Sequence, residues 1–391
     1  MAAARDDPHG TRNDHEHRAS AALSSCADVG SVARCMPGSQ RQATSLRRER
    51  HSRQACWSSA VHGHWRPDPQ PQQSYTITND AGGWRAKALP REKRSWEQYA
   101  WQPLAGSQLN VAPVSRERWC NVMQQQGIRR LAIVGDSISW SMIQSLWKLL
   151  ELGTGPPPRR PTTRLLQVDC GRGQGIVELL WVSSNHLNAS ITADAVRNAD
   201  VTLLNAGPWY SSANAAMRER FVSVQSDRLA DAGRIAGRGF GARNGVSMSS
   251  AWRLFVDDLL DVHRVLRDRG LPDASHRLVW RTSHTGHPGC NNYTRPLTSP
   301  GDALAGLLAC RECVEDWGWH LYPALDRAAR DRLGNLGALA FDVRPMTALR
   351  PDAHTQHSYA PGKYDCLHLA LPGVPDWWSA LFLSIMESCG V

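Results

Sequence analysis

The chain has 391 residues, of which 41% are hydrophobic and 21% charged, with a formal net charge of +9. That length and composition support one large core or two small ones, and exclude a wholly disordered chain, a collagen-like repeat and a small disulfide scaffold. The basic excess is dispersed rather than blocked and no nucleic-acid module is recognisable, so a nucleic-acid partner is not expected. No apolar run reaches the roughly 18 residues that a membrane-spanning helix needs.

Residues 1–92 are rich in Arg, His, Ser, Gln, Pro and Gly and carry no sustained periodicity, so they are expected to be largely disordered, Cys26 and Cys35 notwithstanding. Nothing near the N-terminus has the apolar stretch of a signal peptide. The globular part is expected over 93–391, with short apolar runs alternating with amphipathic helices from Arg129 onward. Leu131–Val134 is a continuous apolar strand, as expected where both sheet faces are covered. A helix follows, with Met142, Ile143, Leu146 and Leu150 on one face, and it stops at a Gly/Pro-rich stretch.

Arg164–Val168, Gly175–Val182 and Val201–Leu204 read as further strands. Trp252, Phe255, Val256, Leu259, Val262 and Leu266 recur at helical spacing and predict a helix over 250–269. The strand Arg277–Thr282, a helix over 323–333, the strand Leu336–Val343 and a last helix over 375–388 complete the pattern. Strands alternating with helices imply an α/β fold: a three-layer α/β/α sandwich around a mostly parallel sheet of about five strands. Ligands of such sheets bind beyond the carboxyl ends of the strands.

That rule selects the chemistry-bearing residues. Ser137 lies just past the first strand in Gly135-Asp136-Ser137, where the following helix favours negative charge. It reads either as a nucleophile or as part of a helix cap. Asp365 and His368 are three apart, a spacing that lets a carboxylate orient an imidazole base. Asn205, at the end of the strand Val201–Leu204, reads as a donor to an oxyanion hole together with the Ser137 amide and Gly207, or as an ordinary turn residue.

Together these segments resemble the SGNH (GDSL-type) hydrolase superfamily, and within it the PC-esterase and trichome-birefringence-like branch of plants and algae. The resemblance rests on VGDSISWSMIQSL, DVTLLNAGPWY, RTSHTGHPGC, DVRPMTALRPDAH and DCLHLALPGVPDWW, and it covers roughly residues 95–391. It implies a triad of Ser137 as nucleophile, His368 as base and Asp365 as orienter, with an acyl-serine intermediate. It also implies a polysaccharide acceptor with an acyl donor, no cofactor or metal, and a place in the secretory pathway, the Golgi in plant relatives. Arg281, His284, His287 and Arg350 are expected to line the substrate cleft, or else to brace loops. The chain departs from the branch at Trp140-Ser141-Met142 and at Leu369-Ala370, where a tryptophan and a cysteine are usual.

The expected function is therefore serine-dependent acyl transfer at carbohydrate hydroxyls, as an O-acetyltransferase or a carbohydrate esterase. The alternative is a catalytically decayed carbohydrate-binding protein on the same fold. Cys310-x-x-Cys313 with His320 lacks the second ligand pair of a closed zinc site. Trp209, Trp317, Trp319, Trp377 and Trp378 are candidate sugar platforms or core packing. Two sequons, at Asn188 and Asn292, and the scattered cysteines fit an oxidising compartment.

Overall fold

The computed structural model describes residues 51–59, 61–68, 95–104, 109–153, 162–171, 173, 175–211, 248–273, 275–355, 358–360 and 363–391. All elements below belong to one compact unit, Arg53–Val391. The expectation of disorder over residues 1–50, and Cys26 and Cys35 with it, lies outside the described residues.

In chain order the strands are β1 (Gly63–Pro67), β2 (Tyr99–Pro103), β3 (Arg130–Gly135), β4 (Thr163–Asp169), β5 (Ile176–Ser183), β6 (Val201–Leu204), β7 (Arg277–Arg281), β8 (Leu339–Phe341), β9 (Ser358–Ala360) and β10 (Lys363–Tyr364). The helices named below are α1 (Arg116–Gln125), α2 (Ser137–Leu149), α3 (Ala189–Arg197), α4 (Met248–Asp268), α5 (Tyr322–Gly334) and α6 (Val374–Cys389). The central sheet has the order β4-β5-β3-β6-β7-β8. It has six strands, where about five were expected. Five of them run parallel, and β4 is an antiparallel edge on β5. The reason is covalent reach: only 170–175 separate β4 from β5, too short for the parallel crossover of a dozen or more residues.

Side chains alternate across this sheet and so divide the core in two. Leu131, Ile133, Leu203, Val279 and Phe341 face one layer, with Met142 and Ile143 of α2 and Leu381, Phe382 and Ile385 of α6. Ala132, Val134, Leu204, Leu278 and Trp280 face the other, with Phe255, Leu259 and Val262 of α4 and Leu325 and Ala329 of α5. The α/β/α sandwich is thus present, and β4, with only Leu166 and Val168 buried, alternates as an edge strand must.

The expected start of the folded domain at residue 93 is corrected by residues 53–68. Trp57 is wholly buried against Phe341 and Phe382, and its Nε1 donates to Gly390 O at 2.9 Å. Cys56 is bonded to Cys389, and β1 pairs antiparallel with β2. This segment covers the outer face of α6, which is why that helix is buried on nearly every side. A few aromatic side chains in a polar background are too sparse to form a period, yet they suffice to dock a strand and a helical turn. Trp57→Ala is expected to lower the unfolding free energy by about 3–5 kcal/mol. An unchanged midpoint in chemical denaturation would mean that this segment does not contribute to the core.

Candidate active site

Ser137 stands where β3 turns into α2. A side chain at Gly135 would overlap Ser139 Oγ and lie 3.0 Å from Asn205 O, so only glycine permits this close turn. Asp136 caps α2, its Oδ1 accepting from the Ile138 amide at 2.9 Å. The capping role therefore falls to Asp136. Ser137 becomes the first helical residue, whose amide has no carbonyl one turn earlier to bond. Its hydroxyl lies 2.8 Å from His368 Nε2, across a separation of 231 residues.

His368 and Asp365 sit in the loop between β10 and α6. His368 Nδ1 is 2.8 Å from Asp365 Oδ2, while Asp365 Oδ1 accepts from the amides of Leu367 at 3.1 Å and His368 at 2.9 Å. A carboxylate only accepts, so Nδ1 carries the hydrogen and Nε2 is left bare to accept from the serine. Burial alone would raise the Asp365 pKa. The neighbouring imidazole and the bonds from the ring and two amides outweigh it and hold the carboxyl at about 2. Ser137, Asp365 and His368 are thus assembled in one hydrogen-bonded line.

The loop carrying His368 is held from behind by three other histidines. His284 Nε2 donates to Leu367 O at 2.9 Å and the ring lies 5.2 Å from Trp378. The His287 amide donates to Cys366 O at 2.9 Å, and Cys366 is bonded to Cys290. His354 Nδ1 and the Thr355 amide both donate to His368 O at 3.0 Å. His287 Nε2 donates to Ala348 O, which leaves its Nδ1 2.6 Å from His354 Nε2. One added proton would close that contact, and burial opposes it. The expectation that His284 and His287 line the substrate cleft is therefore corrected. Both are buried, with ring hydrogens spent on backbone carbonyls.

Asn205 lies beside β3, but its amide is turned into the protein. Nδ2 donates to Arg281 O at 2.8 Å and Ser283 Oγ at 3.1 Å, and Oδ1 accepts from Arg281 Nη2 at 2.6 Å. Both amide hydrogens are committed, so in this arrangement Asn205 does not present a donor above Ser137. Gly207 packs so closely on Ser283 that a side chain there would overlap the Ser283 hydroxyl. Arg281, expected at the cleft, is instead wholly buried: Nη2 also donates to Ser139 Oγ at 3.0 Å, and the guanidinium sits 5.1 Å from the Trp378 ring. Burial lowers its pKa to about 10 against the pull of Asp136 and Asp326, so it remains a cation near neutrality. Arg350 is also fully buried, paired through two bonds of 2.9 and 3.0 Å with Asp352. Its loop-bracing reading is the one the geometry supports.

Residues 182–385 match the model of PC-Esterase, described as a "GDSL/SGNH-like Acyl-Esterase family found in Pmr5 and Cas1p". The chain belongs to the PC-esterase family. It is 24% identical to protein trichome birefringence-like 40 of Arabidopsis thaliana over 320 residues, covering 76% of this chain and 78% of that one. It is 20% identical to protein trichome birefringence-like 38 of the same plant over 320 residues, covering 76% and 74%. Family membership makes this PC-esterase an acyl-ester enzyme by class, on an SGNH-like fold.

Sequence reasoning passed over Ser139 and Ser283 as parts of the site, while Trp378, read as a sugar platform or as core packing, is wholly buried. The usable signal was local: Ser139 falls two residues after Ser137, and Ser283 two after the buried Arg281. The Cys310–Cys313 pair forms a disulfide, and among the described residues no cluster of ligands could hold a metal ion.

Burial lowers the His284 pKa from its ordinary 6.5 to about 3, against the bond that the ring donates to Leu367 O. On acidification the unfolded chain takes up this proton first. Stability from this ring is full above pH 6.5 and falls as the pH drops toward 3. The expected slope is about 1.4 kcal/mol per pH unit from this ring alone. His284→Gln, which retains a donor for Leu367 O, should flatten the urea-unfolding free energy between pH 6 and 4 by that amount. An identical slope in wild type and variant would show that the ring titrates normally.

Proposed function

We propose that this PC-esterase transfers an acyl group, with acetyl the expected group, onto or off carbohydrate hydroxyls through an acyl-serine at Ser137. The observation that carries this reading is the unbroken line Ser137 Oγ–His368 Nε2–His368 Nδ1–Asp365 Oδ2, each contact 2.8 Å. His368 takes the Ser137 proton as Oγ attacks the ester carbonyl of the donor. The tetrahedral intermediate collapses, the donor alkoxide takes that proton from His368, and the acyl group stays on Ser137. A sugar hydroxyl, in an O-acetyltransferase, or water, in an esterase, then gives its proton to His368 and attacks the acyl carbon; the acyl–oxygen bond to Ser137 breaks, Oγ takes the proton back from His368, and the acylated sugar or free acid leaves. Asp365 stays ionised throughout and holds the imidazolium that forms twice in the cycle.

The amide of Ser137, at the start of α2, supplies one donor to the oxyanion. Asn205, on this reading, fixes Arg281 and Ser283 rather than bonding the oxyanion itself. Arg281 in turn places a cation beneath the nucleophile turn, where low polarity makes it effective toward developing negative charge. The four disulfides among the described residues support a place in an oxidising lumen of the secretory pathway, and the Golgi is the compartment proposed.

Wild-type protein incubated with a chromogenic acetate ester should release the chromophore and gain the mass of one acetyl group, and Ser137→Ala should do neither. Asp365→Asn should keep the fold but lose about 10,000-fold in kcat, because the ring then settles in the wrong tautomer. Full turnover by either variant would remove these residues from the chemistry. Oligosaccharide binding without turnover or adduct in wild type would favour the binding-protein reading instead.

A further inference from the structure

Outside the serine site the structure holds a second concavity of about 510 Å³, between the β1–β2 pair and the loop 295–302. That volume is in the range of small-ligand pockets. Trp65 and Tyr99 form one wall, from adjacent strands, and Arg295, Thr298 and Asp302 form the other. The walls are joined where the Leu297 amide donates to Leu349 O at 2.8 Å.

Three features define what this cleft would take. First, the Trp65 ring is fixed before any ligand arrives. Its Nε1 donates to Met346 O at 2.8 Å, Arg350 lies 4.2 Å from its centroid, and Trp101 and Trp377 meet it edge-on at 5.4 and 5.9 Å. A pre-ordered aromatic ring binds with little entropy loss and suits the flat C–H face of a sugar ring. Second, Arg295, Thr298 and Asp302 line the cleft with an exposed guanidinium, hydroxyl and carboxylate, the donors and acceptors that sugar hydroxyls need. Third, Arg295 and Asp302 balance each other in charge, which fits a neutral polyhydroxyl ligand better than an anion or a cation.

The cleft is also close to the serine. Leu349 lines it, and His354, five residues on, holds His368 O. Five residues span at most about 18 Å even when fully extended, and the turn over Pro351–Ala353 shortens this. One short buried segment therefore borders the cleft at Leu349 and holds the His368 carbonyl at His354.

We propose that this cleft is a second saccharide subsite, seating a sugar of the acceptor or ester-bearing chain remote from the one that reacts at Ser137. The inference rests on the acyl-transfer reading for its role in catalysis, though not for binding. Ser137→Ala protein would be titrated calorimetrically with xylo-, manno- and cello-oligosaccharides, each as a disaccharide and a hexasaccharide. At least one hexasaccharide should bind more tightly than its disaccharide, and Arg295→Ala and Asp302→Ala should each weaken it about tenfold. Both side chains are exposed, so folding is retained, as unfolding midpoints would verify. In otherwise wild-type protein the same two substitutions should raise KM for the acetylated hexasaccharide and leave kcat and KM for the chromogenic acetate unchanged.

Equal affinity of the three proteins for every oligosaccharide, or no binding of any, overturns the subsite. Failure of the acyl-transfer reading is distinct: wild type then neither turns over the acetate nor acquires an adduct, while the calorimetric comparison still decides the cleft.

Discussion

The bond between His368 and Ser137 is the constraint on which the site depends, and the two residues reach it by different means. Ser137 is delivered by regular structure: a buried parallel strand, a glycine turn and a capped helix. His368 is delivered by a loop with no helix or strand of its own. Ordering each such residue costs about 1–2 kcal/mol of backbone entropy, so the loop must be held by side chains. The carbonyls of Cys366, Leu367 and His368 are each bonded from outside the loop, by His287, His284 and the His354–Thr355 pair. Each bond contributes about 1 kcal/mol net, and the Cys290–Cys366 link adds a covalent restraint. Three buried neutral imidazoles thus serve to place a fourth.

The Ser137 side carries a comparable buried polar network. Arg281 joins Ser139 of α2 to Asn205, just past β6, while Ser283 joins Asn205 to Asp326 of α5. Asp326 also accepts from Trp280 Nε1, and burial raises its pKa to about 7 despite Arg344 nearby. Buried charges of this kind are a poor source of stability, since desolvation offsets most of the attraction. What they fix is relative position. The ends of β3, β6 and β7 and the start of α2 are held to one geometry by groups that tolerate little displacement.

Much of this was legible in the sequence. The apolar runs named β3, β6 and β7 as buried strands, and the spacing of Phe255, Leu259, Val262 and Leu266 named α4. The contact between Asp365 and His368 was readable because the two residues lie within one turn of chain. The partners of Asn205 were not readable, since an amide at a strand end looks the same whether it faces ligand or core. For Arg281, His284, His287 and Arg350 the choice between cleft lining and loop bracing was open for a related reason. Polar residues beyond a strand's carboxyl end are expected to face ligand, whereas here they are buried and satisfied by backbone carbonyls and by one another. Trp57 and Trp65 were hidden by composition, because the polar residues around them outweigh them in any average.

That last failure bears on how the two clefts are related. Arg350 is held between two demands. Its edge makes two bonds to Asp352, and its plane lies under Trp65 at 4.2 Å and near Tyr99 at 5.4 Å. The first fixes the turn over Pro351–Ala353, which places His354 on the His368 carbonyl. The second fixes the aromatic wall contributed by the N-terminal strands. A lysine could supply the charge but neither the planar fork nor the stacking surface. A single buried guanidinium therefore orders the segment 349–354 on both sides. The strand bearing Trp65 is part of the same construction as His368, although about 300 residues of chain lie between them.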